Sequence, residues 1–349
     1  MNTRPLRVAG YAAWFLCAFV VGVYLTFPLD ELRGLIVHVV EDQLGKGKQG
    51  TYGVDPKVTV GSLSLSGLGV KATRVQVQLP SRDPEPGPVL DLDSLSIGVR
   101  PWSLLGKART VSVGADLYGG DVDLVVSVDD KGNVWYASVD VDSVDLGKVP
   151  IVMQKLGIPL GGKLDLKAQL DLGATPEKDG SGNVKIEAKG LTLGPGNLKL
   201  AAAFGGFELP AIDLGTLSGE IPVKQGKGTL TGLKLDGKDL QAELVGDVFF
   251  KGKLLMTRLD VDGWFQPAPA FLEREKKLQS LLELGESFSG GGVSLSKAKD
   301  EDGHYWFGVK GTLQAPAAML SRDAGKRAKS KAGKAPGTPP APTPPESAG

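Results

Sequence analysis

Gly161–Leu172 reads GGKLDLKAQLDL. From Leu164 onward one parity is apolar (Leu164, Leu166, Ala168, Leu170, Leu172) and the other polar (Asp165, Lys167, Gln169, Asp171). Successive side chains of a strand point to opposite faces, so this is a strand with one dry and one wet side. The alternation recurs in Arg74–Leu79, Val89–Val99, Val111–Leu117, Asp121–Val128, Val134–Val141, Asp239–Phe250 and Arg258–Phe265, among others. Gly119-Gly120 and Asp130-Lys131-Gly132-Asn133 separate runs in the manner of tight hairpin turns. Alternation with turns of this kind belongs to antiparallel sheets with one covered face. The expected fold is mainly β: one long, twisted, mostly antiparallel sheet whose apolar face something must cover.

Two amphipathic segments are candidates for that cover. Pro28–Leu44 carries Leu29, Leu32, Ile36, Val39, Val40 and Leu44 at helical spacing, with Pro28 at the start and Gly45 at the stop. It reads either as a plain stalk or, preferably, as a helix closing one end of the sheet. Ala268–Leu284 is the second, with Phe271, Leu272, Leu278, Leu281 and Leu282 on its stripe. A helix of this length spans about 25 Å, at 1.5 Å per residue. A dozen strands side by side span nearly 60 Å, at about 4.8 Å each. Two helices leave much of such a face bare, so the sheet must close on itself as a sandwich or barrel, or curl into a groove. Changes of parity near Gly61, Gly190 and Gly232 read as bulges, which raise twist and favour the groove. Leu164, Leu166, Leu170, Leu240, Leu244 and Val248 are the expected apolar lining.

Composition narrows the function. Lys+Arg and Asp+Glu both total 40, so the formal charge is zero and nothing points to nucleic acid. The 49 glycines in 349 residues are about twice the usual share of roughly 7%. The one cysteine, Cys17, excludes a disulfide framework and a cysteine metal site, and His38 and His304 are the only histidines.

Val8–Phe27 carries no charge. Twenty residues of helix make about 30 Å, the thickness of a bilayer's hydrocarbon core. Arg4 and Arg7 precede it, which places the N-terminus in the cytoplasm and the rest outside. A cleaved signal peptide is the rival. Its core is shorter, and it ends in small residues rather than Tyr-Leu-Thr-Phe-Pro. The expected organisation is a cytoplasmic N-terminus and anchor over 1–27 and a juxtamembrane amphipathic helix over 28–45. A β domain follows over 46–320, then a disordered basic, Pro-rich tail over 321–349.

No nucleophile elbow, zinc-protease motif or phosphate loop is present in the sequence. The acidic pairs Asp91/Asp93, Asp121/Asp123, Asp140/Asp142 and Asp260/Asp262 each put two carboxylates on one strand face. That is a metal-site pattern, but it is equally what a solvated face looks like. The reading is against an enzyme and expects no catalytic residue, cofactor or metal.

Three stretches carry a family likeness. They are Pro101-Trp102-Ser103-Leu104-Leu105 leading to Leu117-Tyr118-Gly119-Gly120, then Ile158–Leu164, then Gly237-Lys238-Asp239-Leu240 opening a long strand. Together with the anchor and the Pro28 segment, and up to about Ala318, the chain resembles the type II secretion system protein N family. The wider group it resembles is the AsmA-type proteins, with an inner-membrane helix and a β-groove in the envelope. The likeness implies a non-enzymatic accessory component of the secretion apparatus, single-pass in the inner membrane with its C-terminal domain periplasmic. Its implied partners are the inner membrane and other secretion components. The alternative it implies is a lipid-handling module whose apolar face takes phospholipid acyl chains.

Overall fold

The computed structural model describes residues 55–66, 69–79, 87–100, 108–150, 158–197, 208–287 and 295–332, with 33–34, 37–38, 41–42, 103 and 106. Fourteen strands form one antiparallel sheet. In chain order they begin with β1 (Lys57–Ser66), β2 (Gly69–Gln78), β3 (Val89–Val99), β4 (Ala108–Leu117), β5 (Gly120–Asp129), β6 (Val134–Asp145), β7 (Leu160–Asp171) and β8 (Ser181–Leu193). A separate two-stranded hairpin, β9 (Gly196–Asn197) and β10 (Glu208–Leu209), interrupts the series. The sheet resumes with β11 (Ile212–Lys224), β12 (Lys227–Asp236), β13 (Leu240–Phe249), β14 (Arg258–Pro267), β15 (Tyr305–Thr312) and β16 (Ala315–Leu320). Every strand pairs with its neighbour in this order, β8 meets β11 across the hairpin, and β1 and β16 are not joined. The sheet is an open meander.

Local chemistry explains the regularity. The β4–β5 turn places Tyr118 and Gly119 at φ 53° and 76°, the left-handed geometry that suits the twist of a two-residue hairpin. A parity change in one strand must be met by its neighbour, or the apolar face breaks. At Gly61 the apolar positions switch from Val58 and Val60 to Leu63 and Leu65. Across β2 they switch from Val77 and Val75 to Ala72 and Val70, and across β3 from Leu92 to Leu95, with the register unchanged. Further along, register shifts at Val141/Val144, at Gly161/Lys163 and at Leu230/Leu233 make true bulges. The last two fall where Gly190 and Gly232 mark a parity change.

Several expectations need correction. β11 has no clear strand signal in the sequence, where Pro222 argues against a central strand. The proline is tolerated because the β11–β12 ladder is interrupted between Ser218 and Val223. Val293–Lys297 alternates like a strand, but Leu295–Ala298 is a helical turn. The single helix expected over 268–284 is two, Pro269–Arg274 and Lys276–Ser287, broken at Glu275, whose φ and ψ are −109° and 66°. We number the helices α1 (Pro176–Asp179), α2 (Pro269–Arg274), α3 (Lys276–Ser287), α4 (Leu295–Ala298) and α5 (Arg322–Ala332).

Within the tail expected to be disordered over 321–349, Arg322–Ala332 forms α5, and 333–349 lie outside the described residues. Ala324 and Ala328 are buried against Trp306, with Val245 and Trp264 alongside. A Cβ on Gly325 would lie 2.9 Å from the Trp306 ring, so the helix backbone rests directly on the indole. Arg327 reaches through to Asp262, 2.7 Å away and fully buried on β14. The helix thus covers the polar-parity side of β13–β15, not the apolar one. The proposed anchor, residues 8–27, lies outside the described residues, as do all six residues of the Pro28–Leu44 stripe. Among the described residues no helix is long and apolar enough to cross a membrane.

Arg327→Ala removes the Arg327 ion pair from the buried Asp262 carboxylate. Because Arg327 itself is partly solvated, the cost is about 2 kcal/mol or more rather than the full loss of a wholly buried pair. Chemical denaturation of the variant should show it, and a change within experimental error would mean α5 is not docked.

Candidate functional site

The dry face carries the feature that calls for a function. One row of paired residues crosses the sheet: Ala72, Leu95, Ala115, Val122, Val141, Leu166 and Ile186 on β2–β8. Ile186 faces Gly219 on β11, whose missing side chain leaves room for Leu233 of β12. Leu233 then meets Leu244, Gly263, Phe307 and Leu320 on β13–β16. No charged residue interrupts it.

Two core clusters close the row on either side. At one set of strand ends Ile158, Ala188, Leu191, Leu209, Ile212, Leu214 and Phe271 pack together, with Leu164 and Leu240 against them. Asp239 fixes α2 there. Its carboxylate accepts the Asp213 N–H at 2.8 Å and an Arg274 N–H at 3.0 Å, and Arg274 lies over the Phe271 ring at 5.2 Å. At the opposite strand ends Val134, Ala137, Leu170, Leu172, Val223 and Phe250 form a second cluster, with Val248 and Leu254 packed on it. Between the two, Leu124, Val139, Val141, Leu166, Ile186, Leu233 and Leu244 are half-buried and belong to neither cluster.

The six expected lining residues therefore separate. Leu164 and Leu240 support one closing cluster, and Leu170 and Val248 support the other. Leu166 and Leu244 lie in the strip between them. Leu244 leans over Gly263, where a Cβ would come within 2.5 Å of its Cδ2. Val122, Val141, Ile186, Leu233 and Phe307 were not singled out in the sequence. Register, which no single strand reveals, is what joins them to Leu166 and Leu244.

At the β1 edge the strip meets an apolar cavity of about 70 Å³ among Val58, Val60, Leu63, Ala72, Val75 and Leu95, with Arg33 beside it. Val37 packs on the same cluster. The Arg33 guanidinium donates to the Val60 carbonyl, and Glu41 Oε1 accepts the Val58 N–H at 2.8 Å. These two side chains take up one carbonyl and one N–H of β1 near its start. His38 is exposed.

The wet face holds the acidic pairs. Asp121 stands opposite both Asp116 and Asp142, and Asp123 opposite Asp140, over a polar depression of about 340 Å³. Lys167 answers Asp140 at 3.1 Å. Ser94 donates to Asp116 at 2.5 Å. Asp121 is pushed above the usual carboxylate range by partial desolvation first, then by Asp116, Asp142 and Asp123. Asp262 is no solvated acid but the buried partner of Arg327. Asp300, Asp302 and His304 lie close enough to share an ion. The Asp300 carboxylate, however, already accepts the N–H groups of Asp302 and His304 at 3.0 Å each and of the Trp306 indole at 2.8 Å. Burial works against its charge, but the Trp306 and His304 hydrogen bonds outweigh that and hold it below its ordinary range. That is the chemistry of a turn being fixed.

No family model, curated protein or solved structure matches this chain.

A carboxyl raised in the folded state contributes stability when protonated and loses it as pH rises through its folded value. Asp121→Asn should therefore melt higher than the parent at neutral pH, with the gap closing as pH falls toward the ordinary value of 3.8. Melting curves of both proteins across that range check this; a gap independent of pH would mean the acidic row is not strained.

Proposed function

We propose that this chain is a non-enzymatic, inner-membrane-anchored periplasmic protein, an accessory part of the type II secretion apparatus. We further read its sheet as curled into a groove whose apolar strip holds phospholipid acyl chains. The observation that carries the second reading is the half-buried strip from Leu124 to Leu244, flanked by two well-packed clusters and claimed by neither. Contiguous apolar surface on a soluble domain marks a place where something binds. A strip running across the strands, bounded on both sides and free of charge, fits a long, uncharged chain better than a compact polar molecule.

The placement of Arg33 and Glu41 supports the membrane reading. Arg33 and Glu41 tie this segment to the β1 edge. Six residue-to-residue steps lead from Phe27 to Arg33, a reach of at most about 22 Å even when extended. The cavity beside Arg33 is then near any bilayer that holds 8–27.

The residues behind the family likeness have duties in the sheet. A Cβ on Gly120 would lie 2.3 Å from the Asp142 carbonyl, and one on Gly237 2.5 Å from that of Asp213. Gly162 has φ 123° at the β7–β8 bulge. Asp239 holds α2. These positions serve an architecture and not a reaction, which favours a non-enzymatic accessory role.

Native mass spectrometry of the full chain from mild detergent should find bound phospholipid. Leu166→Trp should remove it while the melting temperature moves by no more than about 2 °C, a change of under about 1 kcal/mol. A lipid-free parent protein, with Leu166→Trp costing about 1–3 kcal/mol, is the behaviour of a filled core. That result would remove the lipid reading and leave the strip to a protein component of the apparatus.

A further inference from the structure

The two edges of the sheet differ. Arg33 and Glu41 occupy two backbone groups of β1, the Val60 carbonyl and the Val58 N–H. β16 reads Ala315-Pro316-Ala317-Ala318-Met319-Leu320 and carries no charge. α5 crosses β13, β14 and β15, and α4 touches β15 and β16, but Ala315–Met319 all remain exposed, Met319 at 60%. Edge strands are commonly guarded by charge or proline; β16 has no charge and its one proline withholds a single N–H, so the rest of this exposed edge is a template for another strand.

The direction of its hydrogen-bonding groups can be worked out. Ser321 donates its N–H to the Trp306 carbonyl at 3.0 Å, so that pair bonds across β15–β16. The register runs unbroken from Phe307↔Leu320 to Val309↔Ala318 and Gly311↔Pro316. Bonded and non-bonded pairs alternate along an antiparallel ladder. Pro316, Ala318 and Leu320 therefore turn their backbone groups to the open edge, and Ala317 and Met319 turn theirs to β15. Pro316 agrees independently, since a strand proline belongs where its missing N–H faces away from the ladder.

We infer that β16 is a self-association edge, on which two copies of this chain pair antiparallel about Ala318. In that register Ala318 faces its own copy and exchanges two hydrogen bonds with it. Leu320 faces Pro316 and donates to its carbonyl, so the proline costs only the donors it never had. No like charges meet, because the strand has none. A two-fold axis normal to the sheet keeps Pro316, Ala318 and Leu320 of both copies on one face. These are the residues in line with the apolar row through Phe307 and Val309. The pairing would join two dry faces into one of twice the length. It stands whether or not that face binds lipid.

The test uses the full chain in detergent with Cys17→Ser. Residues facing each other in a bonded antiparallel pair have Cα atoms about 5.5 Å apart, inside the roughly 4.4–6.8 Å a disulfide needs. Ala318→Cys should oxidise to a covalent dimer. Ala315→Cys should not, because its two copies would be about 20 Å apart at 3.4 Å per residue. Ala318→Pro removes only outward N–H groups, so it should abolish cross-linking of a neighbouring Leu320→Cys to Pro316→Cys and halve the mass by light scattering, with the fold intact by circular dichroism. Equal cross-linking at 315 and 318, or none at 318, overturns the proposal. A dimer held only by the anchor would give the doubled mass without the Ala318 cross-link, and that also overturns it.

Discussion

Conservation of side-chain parity across an antiparallel ladder is the constraint on which this structure depends. A strand that slips by one residue turns its whole apolar set to the wrong face. Here fourteen strands must agree. The sheet meets the requirement in two ways. Near Gly61 the switch is made at the same level in β1, β2 and β3, so register survives unshifted. Elsewhere an extra residue is taken up on one strand alone, as at Ser143, whose φ is 55° and whose N–H is accepted by Asp165 of β7 at 2.8 Å. The outcome in both cases is an apolar row that is not broken.

That row would be a liability were its borders loose. The polar groups that close them are satisfied by specific partners. Asp239 is only 6% exposed and is held by the Asp213 N–H and by Arg274, which seats Phe271 in the first cluster. At the opposite strand ends Val134 donates its N–H to Gly252 at 2.8 Å, and Phe250 to Gly226 at 2.7 Å, which brings Phe250 and Leu254 over the second cluster. On β15 Tyr305 shares the parity of Phe307, and its hydroxyl and Lys299 meet Glu286 of α3 at 2.5 and 2.8 Å. The hydrogen bonds from Lys299 and then Tyr305 hold the Glu286 carboxyl below its ordinary range. These ties bind α3 and β15, leaving the middle of the dry face as the unclaimed apolar surface.

Much of this was legible in the sequence where one strand speaks for itself. Gly161–Leu172 announces β7, and the hairpin residues around Gly119 and Gly132 announce their turns. β11 was illegible because its evidence of strand character is broken by Gly215, Gly219 and Pro222, which only the interrupted partner ladder accommodates. β16 was hidden by alanine and proline, which carry little strand preference. α5 was hidden because its burial rests on small residues, Ala324, Gly325 and Ala328, against a tryptophan far away in sequence. The strip was legible in part. Leu166 and Leu244 belong to it, while Leu164, Leu170, Leu240 and Val248 share their parity but serve the closing clusters. Position along the strand decides that, and alternation alone does not encode it.

The central claim is that the middle of the dry face is open apolar surface that meets acyl chains. Placing a photoreactive amino acid in turn at residues 165 to 168 of β7, in the membrane-embedded full chain, tests it most directly. Lipid adducts are expected at 166 and 168 and none at 165 and 167. Adducts at none of the four positions, or at all four alike, would contradict it.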